Sequence, residues 1–316
     1  GFGRIGRTVL RAWAQGGWPE VEIVGINDIA EADLCSHLFE YDSVFGPFNG
    51  EVHLDGKTLH VNGRAIPMSQ TPDVSTLDLT GIDLVMECTG KADGRDVAGR
   101  PLKAGARRVL ISGPSAAADA TIVIGANGSD LADQQIISNA SCTTNALAPL
   151  VRLLDDTWGV RTGWMTTIHC YTGSQPTIDA PRGDMMRSRA AALSMVPTTT
   201  SAMRLLDHVL PDIAGRIEGA AVRVPVASVS AVDLTVTLQE DVSRDQVIEV
   251  LSKPTSIIGF TDKPLVSSDL RSRPESLIVS LPETRVTAQG LLRVFGWYDN
   301  EWGFSCRMLD MAVRMA

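Results

Sequence analysis

Short β-branched runs alternate with helix-spaced segments through the first half of the chain, and longer alternating runs replace them in the second. A glycine-rich turn over residues 1–6 leads into helical spacing at 7–15, and residues 21–26 form a strand candidate ending at Asn27 and Asp28. Further apolar runs lie at 84–87, where the Thr89-Gly90 turn signal stops them, and at 109–112, 121–124 and 135–138. Strands alternating with helices predict βαβ units and a Rossmann-type, doubly wound parallel sheet. Strand candidates at 163–169, 217–224, 229–238 and 291–298 have fewer helices between them. They predict an α+β domain with a mostly antiparallel sheet. Near the end, Met308, Leu309, Met311, Ala312 and Met315 recur at helical spacing and read as core packing.

The 316 residues suffice for two domains. The expected division is a dinucleotide-binding domain at 1–141, joined by a C-terminal helix at 305–316, and a catalytic domain at 142–304. A hydrophobic fraction of 44% with 21% charged residues fits a folded globular chain. The net charge of −9 opposes nonspecific nucleic-acid binding while leaving room for a local cationic pocket. No apolar run reaches membrane-spanning length and no signal peptide stands at the start, so no membrane partner and a cytoplasmic location are expected. Cys35, Cys88, Cys142, Cys170 and Cys306 are scattered and form no C-x-x-C pair, so neither a metal site nor a disulfide framework is expected.

Gly1, Gly3 and Gly6 spell G-x-G-x-x-G. The first glycine permits a tight turn, the second lets backbone approach a pyrophosphate, and the third lets the helix pack closely. The helix N-terminus then presents free N–H groups to the anion. After the intervening helix, a strand ends in Asp28, 22 residues beyond Gly6. A carboxylate there accepts from ribose hydroxyls and repels a 2′-phosphate, which favours NAD over NADP. A fingerprint of this kind follows a β-strand, yet here it begins at residue 1. The expectation is that about half a dozen residues forming that strand precede Gly1 in the natural chain.

The segment Ser138-Asn139-Ala140-Ser141-Cys142-Thr143-Thr144-Asn145 sets one cysteine among polar residues, just before the helix-forming run 146–154. Cys142 at a helix N-terminus gains a lowered thiol pKa and nucleophilic character. On these residues alone, a capped helix with an incidental buried cysteine accounts for the segment equally well.

The same eight residues resemble the active-site signature of the glyceraldehyde-3-phosphate dehydrogenase family. The resemblance runs along the chain: Gly-Phe-Gly-Arg-Ile-Gly-Arg at the start, Ile26-Asn27-Asp28, Tyr41-Asp42-Ser43-Val44, Glu87-Cys88-Thr89-Gly90, Arg223-Val224-Pro225 and Trp297-Tyr298-Asp299-Asn300-Glu301. It implies Cys142 as nucleophile and His169 as general base; a lone histidine in a strand would otherwise carry no chemistry. Substrate-phosphate binding falls to Thr172, Ser174 and Arg223, and attacking-phosphate binding to Ser141, Thr143 and Thr200. Arg189 lies in a stretch similar to the family's S-shaped loop, about 171–196, which reaches a neighbouring subunit's cofactor in the family's tetramers. NAD binding is implied for Gly1, Phe2, Gly3, Arg4, Ile5, Gly6, Asn27, Asp28, Thr89, Gly90 and Asn300, the last through the nicotinamide carboxamide. Pro181 matches a loop proline of NAD-preferring members. The implied reaction is oxidation of glyceraldehyde 3-phosphate with phosphate as acceptor, by a homotetramer.

Four positions depart from the family pattern. Ser201 stands where a glycine helps bind the attacking anion, Ala92 where an aromatic residue is frequent near adenine, Phe304 for a tyrosine, and Ala146 for a second cysteine. Two relatives compete. Erythrose-4-phosphate dehydrogenases share the 300–304 form of the C-terminal motif, and a branch associated with arsenate resistance resembles residues 170–176, so arsenate is an alternative acceptor. A non-enzymatic, NAD-binding redox sensor is the third reading; the presence of Cys142, His169 and Arg223 argues against it.

Overall fold

A computed structural model describes residues 1–316, which form two compact units. The first comprises Gly1–Ile122, Ser129–Ala140 and Ser305–Ala316; the second comprises Val123–Gly128 and Ser141–Phe304. Residues 123–128, expected with the dinucleotide domain, belong to the second unit. There Gly125 lies against Pro149 and Ile257, where a Cβ would sit 3.2 Å from the Ile257 side chain.

In the first unit, Leu84–Glu87, Arg108–Ile111, Ile136–Ser138 and Ala120–Thr121 form a wholly parallel sheet in that order. A second sheet starts with Ile26–Asn27, parallel to Arg64–Ser69, and continues antiparallel through Thr58–Val61 and Val52–Asp55. Two strands are shorter than their apolar runs. The 21–26 run pairs only at Ile26–Asn27, because the preceding partner position on the neighbouring strand is Pro67, which has no N–H to donate. The 121–124 run pairs only through Thr121, after which the Val123 N–H turns to the Asn127 side chain.

The helix Arg4–Ala14 begins three residues earlier than its spacing suggested. Gly3 is extended and serves as N-cap, so residues 4–6 wind into the first turn. That turn presses on the chain before it: a Cβ on Gly6 would lie 2.3 Å from the Gly1 carbonyl oxygen. Glycine is required there by close approach rather than by φ. The C-terminal helix Trp302–Met315 buries Met308, Met311 and Met315, as core packing requires.

The second unit is built on one mixed, mostly antiparallel sheet. Its order is Val196–Thr198, Ile217–Val224, Val160–Cys170, Ser230–Leu238, Leu291–Tyr298, Leu277–Ser280 and Ile258–Thr261. The strand Val160–Cys170 is central, parallel to Ile217–Val224 and antiparallel to Ser230–Leu238. Its alternation puts Met165, Thr167 and His169 inward and Trp164 and Ile168 outward. The helix Cys142–Trp158 packs against this sheet and carries a nearly continuous buried face.

Arg11 holds the helix Arg4–Ala14 to the C-terminal end of the helix Ala32–Glu40 and to Gly46 beyond it. Its buried guanidinium donates to the carbonyls of Phe39, Glu40 and Gly46 and lies over the rings of Phe39 and Phe48. Arg11→Met keeps the apolar stem but strands three carbonyls. Urea unfolding should show a loss of roughly 3 kcal/mol, whereas an unchanged midpoint would mean that water replaces the guanidinium freely.

Candidate active site

Cys142 is the first residue of the helix Cys142–Trp158. Ser141 is its N-cap: the Ser141 hydroxyl accepts the Thr144 N–H at 3.1 Å and lies 2.7 Å from the Thr144 hydroxyl. Ala140, just before, has φ +55 and is fully buried. A non-glycine residue in that region is strained and is held there by its surroundings.

His169 comes from the central strand, and its Nε2 lies 3.6 Å from the Cys142 sulfur. Nδ1 is 2.7 Å from the Cys170 carbonyl oxygen and 3.0 Å from Nη1 of Arg223. The carbonyl favours a proton on Nδ1, whereas the guanidinium, which only donates, favours a lone pair there; with the proton on Nδ1, the Nε2 lone pair faces the sulfur. Arg223 sits on the neighbouring strand at the register position of His169 and donates to the same carbonyl at 3.0 Å.

Helix and strand are tied together by Tyr298, whose buried hydroxyl is 2.8 Å from both Thr143 and Thr167. Burial holds that phenol far above its ordinary pKa, so it remains a neutral hydrogen-bonding group. Its ring meets His169 edge-on at 6.0 Å.

The electrostatics differ from the sequence expectation of a lowered thiol pKa. Burial raises the Cys142 thiol above its ordinary value, and the Arg223 charge with the Thr143 hydroxyl and N–H opposes this only in part. Burial and Arg223 lower His169 to about 4, against the raising effect of its hydrogen bond to the Cys170 carbonyl. Both shifts favour the uncharged pair, thiol and imidazole. The arrangement therefore provides a thiol with a proton acceptor already aligned.

The implied anion-binding residues divide. The Thr172 and Ser174 hydroxyls are 2.9 Å apart. Thr143 shares its hydroxyl with Tyr298, and Ser141 shares its own with the helix cap. The Thr200 hydroxyl accepts the Ala202 N–H, and Ser201 is the exposed N-cap of the helix Ala202–Val209. Arg189 is drawn away from this segment: its Nε is 2.7 Å from the Asp179 carboxylate, and both side chains are exposed. The arginine that reaches the threonine run is Arg187, which donates to the Thr198 hydroxyl at 2.6 Å and the Thr199 carbonyl at 3.1 Å. Sequence reading missed it because only Ser188 separates it from Arg189 in an irregular loop, where no periodicity assigns direction.

In the first unit, the glycine turn runs between the ends of two strands. A Cβ on Gly1 would lie 2.8 Å from the Thr89 methyl, and the Phe2 N–H donates to Asp28 at 2.5 Å. The Phe2 side chain is buried and stacks on Phe39, so only its backbone faces the turn. Arg4 and Ile5 open the helix, and its N-cap Gly3 makes no side-chain cap hydrogen bond. Asp28 also accepts from Ala30 at 3.0 Å. Burial raises its pKa, but the N–H groups of Ala30 and Phe2 bring it below its ordinary value, and it stays ionised. Asn27 uses its amide on Ser69 and Thr71 and so shapes the adjoining loop. Gly90 has φ +70, which permits the Thr89 turn. A helix N-terminus without a side-chain cap, glycines at the close approaches and an ionised acceptor just beyond Ile26–Asn27 fit a dinucleotide.

A dinucleotide-binding unit and a partly exposed thiol beside a buried imidazole fit a dehydrogenase. Residues 1–95 match the family domain described as "Glyceraldehyde 3-phosphate dehydrogenase, NAD binding domain", and residues 141–300 match "Glyceraldehyde 3-phosphate dehydrogenase, C-terminal domain". The chain is 46% identical to glyceraldehyde-3-phosphate dehydrogenase of Pseudomonas aeruginosa and 45% identical to that of Xanthobacter flavus. It is 42% identical to glyceraldehyde-3-phosphate dehydrogenase 1 of Bacillus subtilis. Each match spans 100% of this chain and 96% of the relative. The chain belongs to the glyceraldehyde-3-phosphate dehydrogenase family.

Of the five cysteines, only Cys142 has an aligned imidazole acceptor. Iodoacetamide at neutral pH should therefore alkylate Cys142 first, and His169→Asn should slow the labelling by roughly 10²-fold. Peptide mapping after partial labelling checks both; earlier modification of Cys35 or Cys88 would contradict the assignment.

Proposed function

We propose that this chain oxidises glyceraldehyde 3-phosphate with NAD and transfers the resulting acyl group to inorganic phosphate, through a thioester on Cys142. The observation that carries this is the 3.6 Å contact between the Cys142 sulfur and the Nε2 lone pair of His169, in a chain with an NAD-binding domain. Nε2 takes the thiol proton as sulfur adds to the aldehyde carbon, then returns it to the new alkoxide. The Cys142 N–H and His169 polarise the oxygen during the addition. Nicotinamide, when bound, supplies the hydride acceptor. Nε2 takes the hydroxyl proton as the hydride leaves, and a thioester remains. Phosphate attacks the thioester carbon, the C–S bond breaks, and the thiolate regains its proton from the imidazolium. Splitting the reaction this way retains the oxidation energy in an acyl phosphate.

We assign Thr172, Ser174 and Arg223 to the substrate phosphate and Ser141, Thr143 and Thr200 to the attacking phosphate, with Arg187 holding the threonine run that includes Thr200. Ser201 adjoins the acceptor anion. The position of Arg189, paired with Asp179, speaks for a structural part within the loop. Asp28 holds the adenosine ribose and Asn300 the nicotinamide carboxamide. The protein works as a homo-oligomer, a tetramer by family resemblance. Support comes from outward-facing Trp164 on the central strand and from exposed Ile178, Met185, Leu193 and Met195 in the loop at 171–196. No helix is long and apolar enough to cross a membrane, and five free cysteines suit the reducing cytoplasm.

NADH formation from glyceraldehyde 3-phosphate, with and without phosphate, is the primary test. Sustained turnover should require phosphate, with arsenate, its near-isostere, also accepted; Cys142→Ala should abolish acyl-enzyme formation, and His169→Asn should cost roughly 10²–10⁴-fold. Erythrose 4-phosphate turned over with higher kcat/KM than glyceraldehyde 3-phosphate would reassign the substrate.

Cofactor choice is tested separately. Asp28→Ala should erode the preference for NAD over NADP. Because Asp28 is held below its ordinary pKa, it stays charged down through the ordinary carboxylate range, so a change in the wild-type preference at roughly pH 6 should follow protonation of the NADP 2′-phosphate and not of Asp28. Higher kcat/KM with NADP in the wild-type chain would overturn the assignment of Asp28.

A further inference from the structure

Cys170 follows the general-base candidate and takes no part in the proton transfers above. It is fully buried, and its sulfur lies 3.1 Å from Oδ1 of Asn300. Ser230, also buried, places its hydroxyl oxygen 3.4 Å from the same Oδ1 and accepts the Cys170 N–H at 3.1 Å. These three residues come from three neighbouring segments of one sheet: the end of Val160–Cys170, the start of Ser230–Leu238, and the turn just after Leu291–Tyr298.

Donor counting fixes the amide. The Cys170 S–H and the Ser230 O–H are both buried and both need an acceptor. Oδ1 has two lone pairs and is the acceptor within reach of both. With the amide turned over, its N–H groups would face the Cys170 sulfur and a Ser230 oxygen that already accepts the Cys170 N–H, and the S–H and O–H protons would lose their shared acceptor, which is costly in a buried place. Burial pushes the Cys170 thiol up to about 12, so it keeps its proton across the working range. Backbone strain accompanies this arrangement: Val229, immediately before Ser230, is buried with φ +66. A β-branched residue in that region is an outlier that persists only where the surroundings impose it.

We propose that Cys170 and Ser230 are positioning residues that lock the Asn300 amide with its two N–H donors turned toward the carbonyl of the nicotinamide carboxamide. This rests on the assignment of Asn300 made above. Neither residue touches the cofactor; each acts through Asn300.

The test is direct titration of NAD into the full-length protein by calorimetry, independent of turnover, with thermal unfolding recorded for each variant. Cys170→Ala removes a donor and should weaken NAD binding roughly three- to tenfold, while Cys170→Ser, which keeps a donor, should stay within about twofold of wild type. Asn300→Ala should weaken binding further, and adding Cys170→Ala to it should change nothing more. A Cys170→Ala protein that loses thermal stability but binds NAD like wild type would reduce Cys170 to a packing residue. An equal loss from Cys170→Ala with and without Asn300 would show that it does not act through the amide. If Asn300→Ala alone leaves affinity unchanged, the cofactor assignment of Asn300 fails and the positioning role falls with it.

Discussion

The hydroxyl of Tyr298, 2.8 Å from Thr143 and 2.8 Å from Thr167, is the cross-link on which the reactive geometry depends. Thr143 follows the thiol by one residue on a helix. Thr167 precedes the imidazole by two on a strand, and therefore on the same face. Binding both threonines to one buried oxygen sets the separation of the helix N-terminus from the strand, and so the separation of sulfur from Nε2. A hydroxyl suits this because it donates to one partner while accepting from the other. Burial reinforces the cross-link, since a phenol that cannot ionise there cannot exchange its two hydrogen bonds for a solvated charge.

Around that cross-link, one strand pairing organises the charge. The parallel register of Val160–Cys170 with Ile217–Val224 sets Arg223 beside His169. The guanidinium lowers the pKa of both the Cys142 thiol and the His169 imidazole: it favours a thiolate and disfavours an imidazolium. It thus aids ionisation of the sulfur while keeping the imidazole free to accept. It also donates to the Cys170 carbonyl that lies 2.7 Å from Nδ1, so carbonyl, imidazole and guanidinium form one hydrogen-bonded cluster. Strand register is a backbone property, so the electrostatics of the pair follow from the sheet.

Patterns that report backbone periodicity were readable in the chain. The runs at 217–224 and 291–298 coincide with the strands Ile217–Val224 and Leu291–Tyr298, because both are long and bounded by turn residues. The helix after Cys142 follows from its Ser141 cap and the apolar run behind it. Where strand length depends on a partner, the pattern overestimates it, as at 21–26 beside Pro67. Site residues were readable where the motif is dense, around 138–145, and less so in the loop at 171–196. There, Arg187 and Arg189 differ only in which acceptor each finds, Thr198 and Thr199 or Asp179. The thiol pKa was misjudged for a related reason: a helix N-terminus is visible in sequence, whereas the degree of burial that outweighs it is a tertiary property.

Strain has a place in this account that sequence does not reveal. Ala140 and Val229 both adopt left-handed backbone without being glycine, and each immediately precedes a residue with a positional task, Ser141 at the helix cap and Ser230 beside Asn300. Alanine and valine in that region cost about 1–3 kcal/mol apiece, and glycine would relieve most of it. Glycine would also free the segment to other conformations in the unfolded chain and in the folded one. Retaining a side chain at each site narrows the backbone to the conformation that packing imposes. At Ala140 the fixed backbone orients the chain where it enters the helix that begins with Cys142. At Val229 it orients the entry to Ser230–Leu238. The strain is therefore tolerable because the buried surroundings offset it, and it serves positioning, because the proposed roles of Cys142 and Asn300 would be lost through small displacements rather than through unfolding.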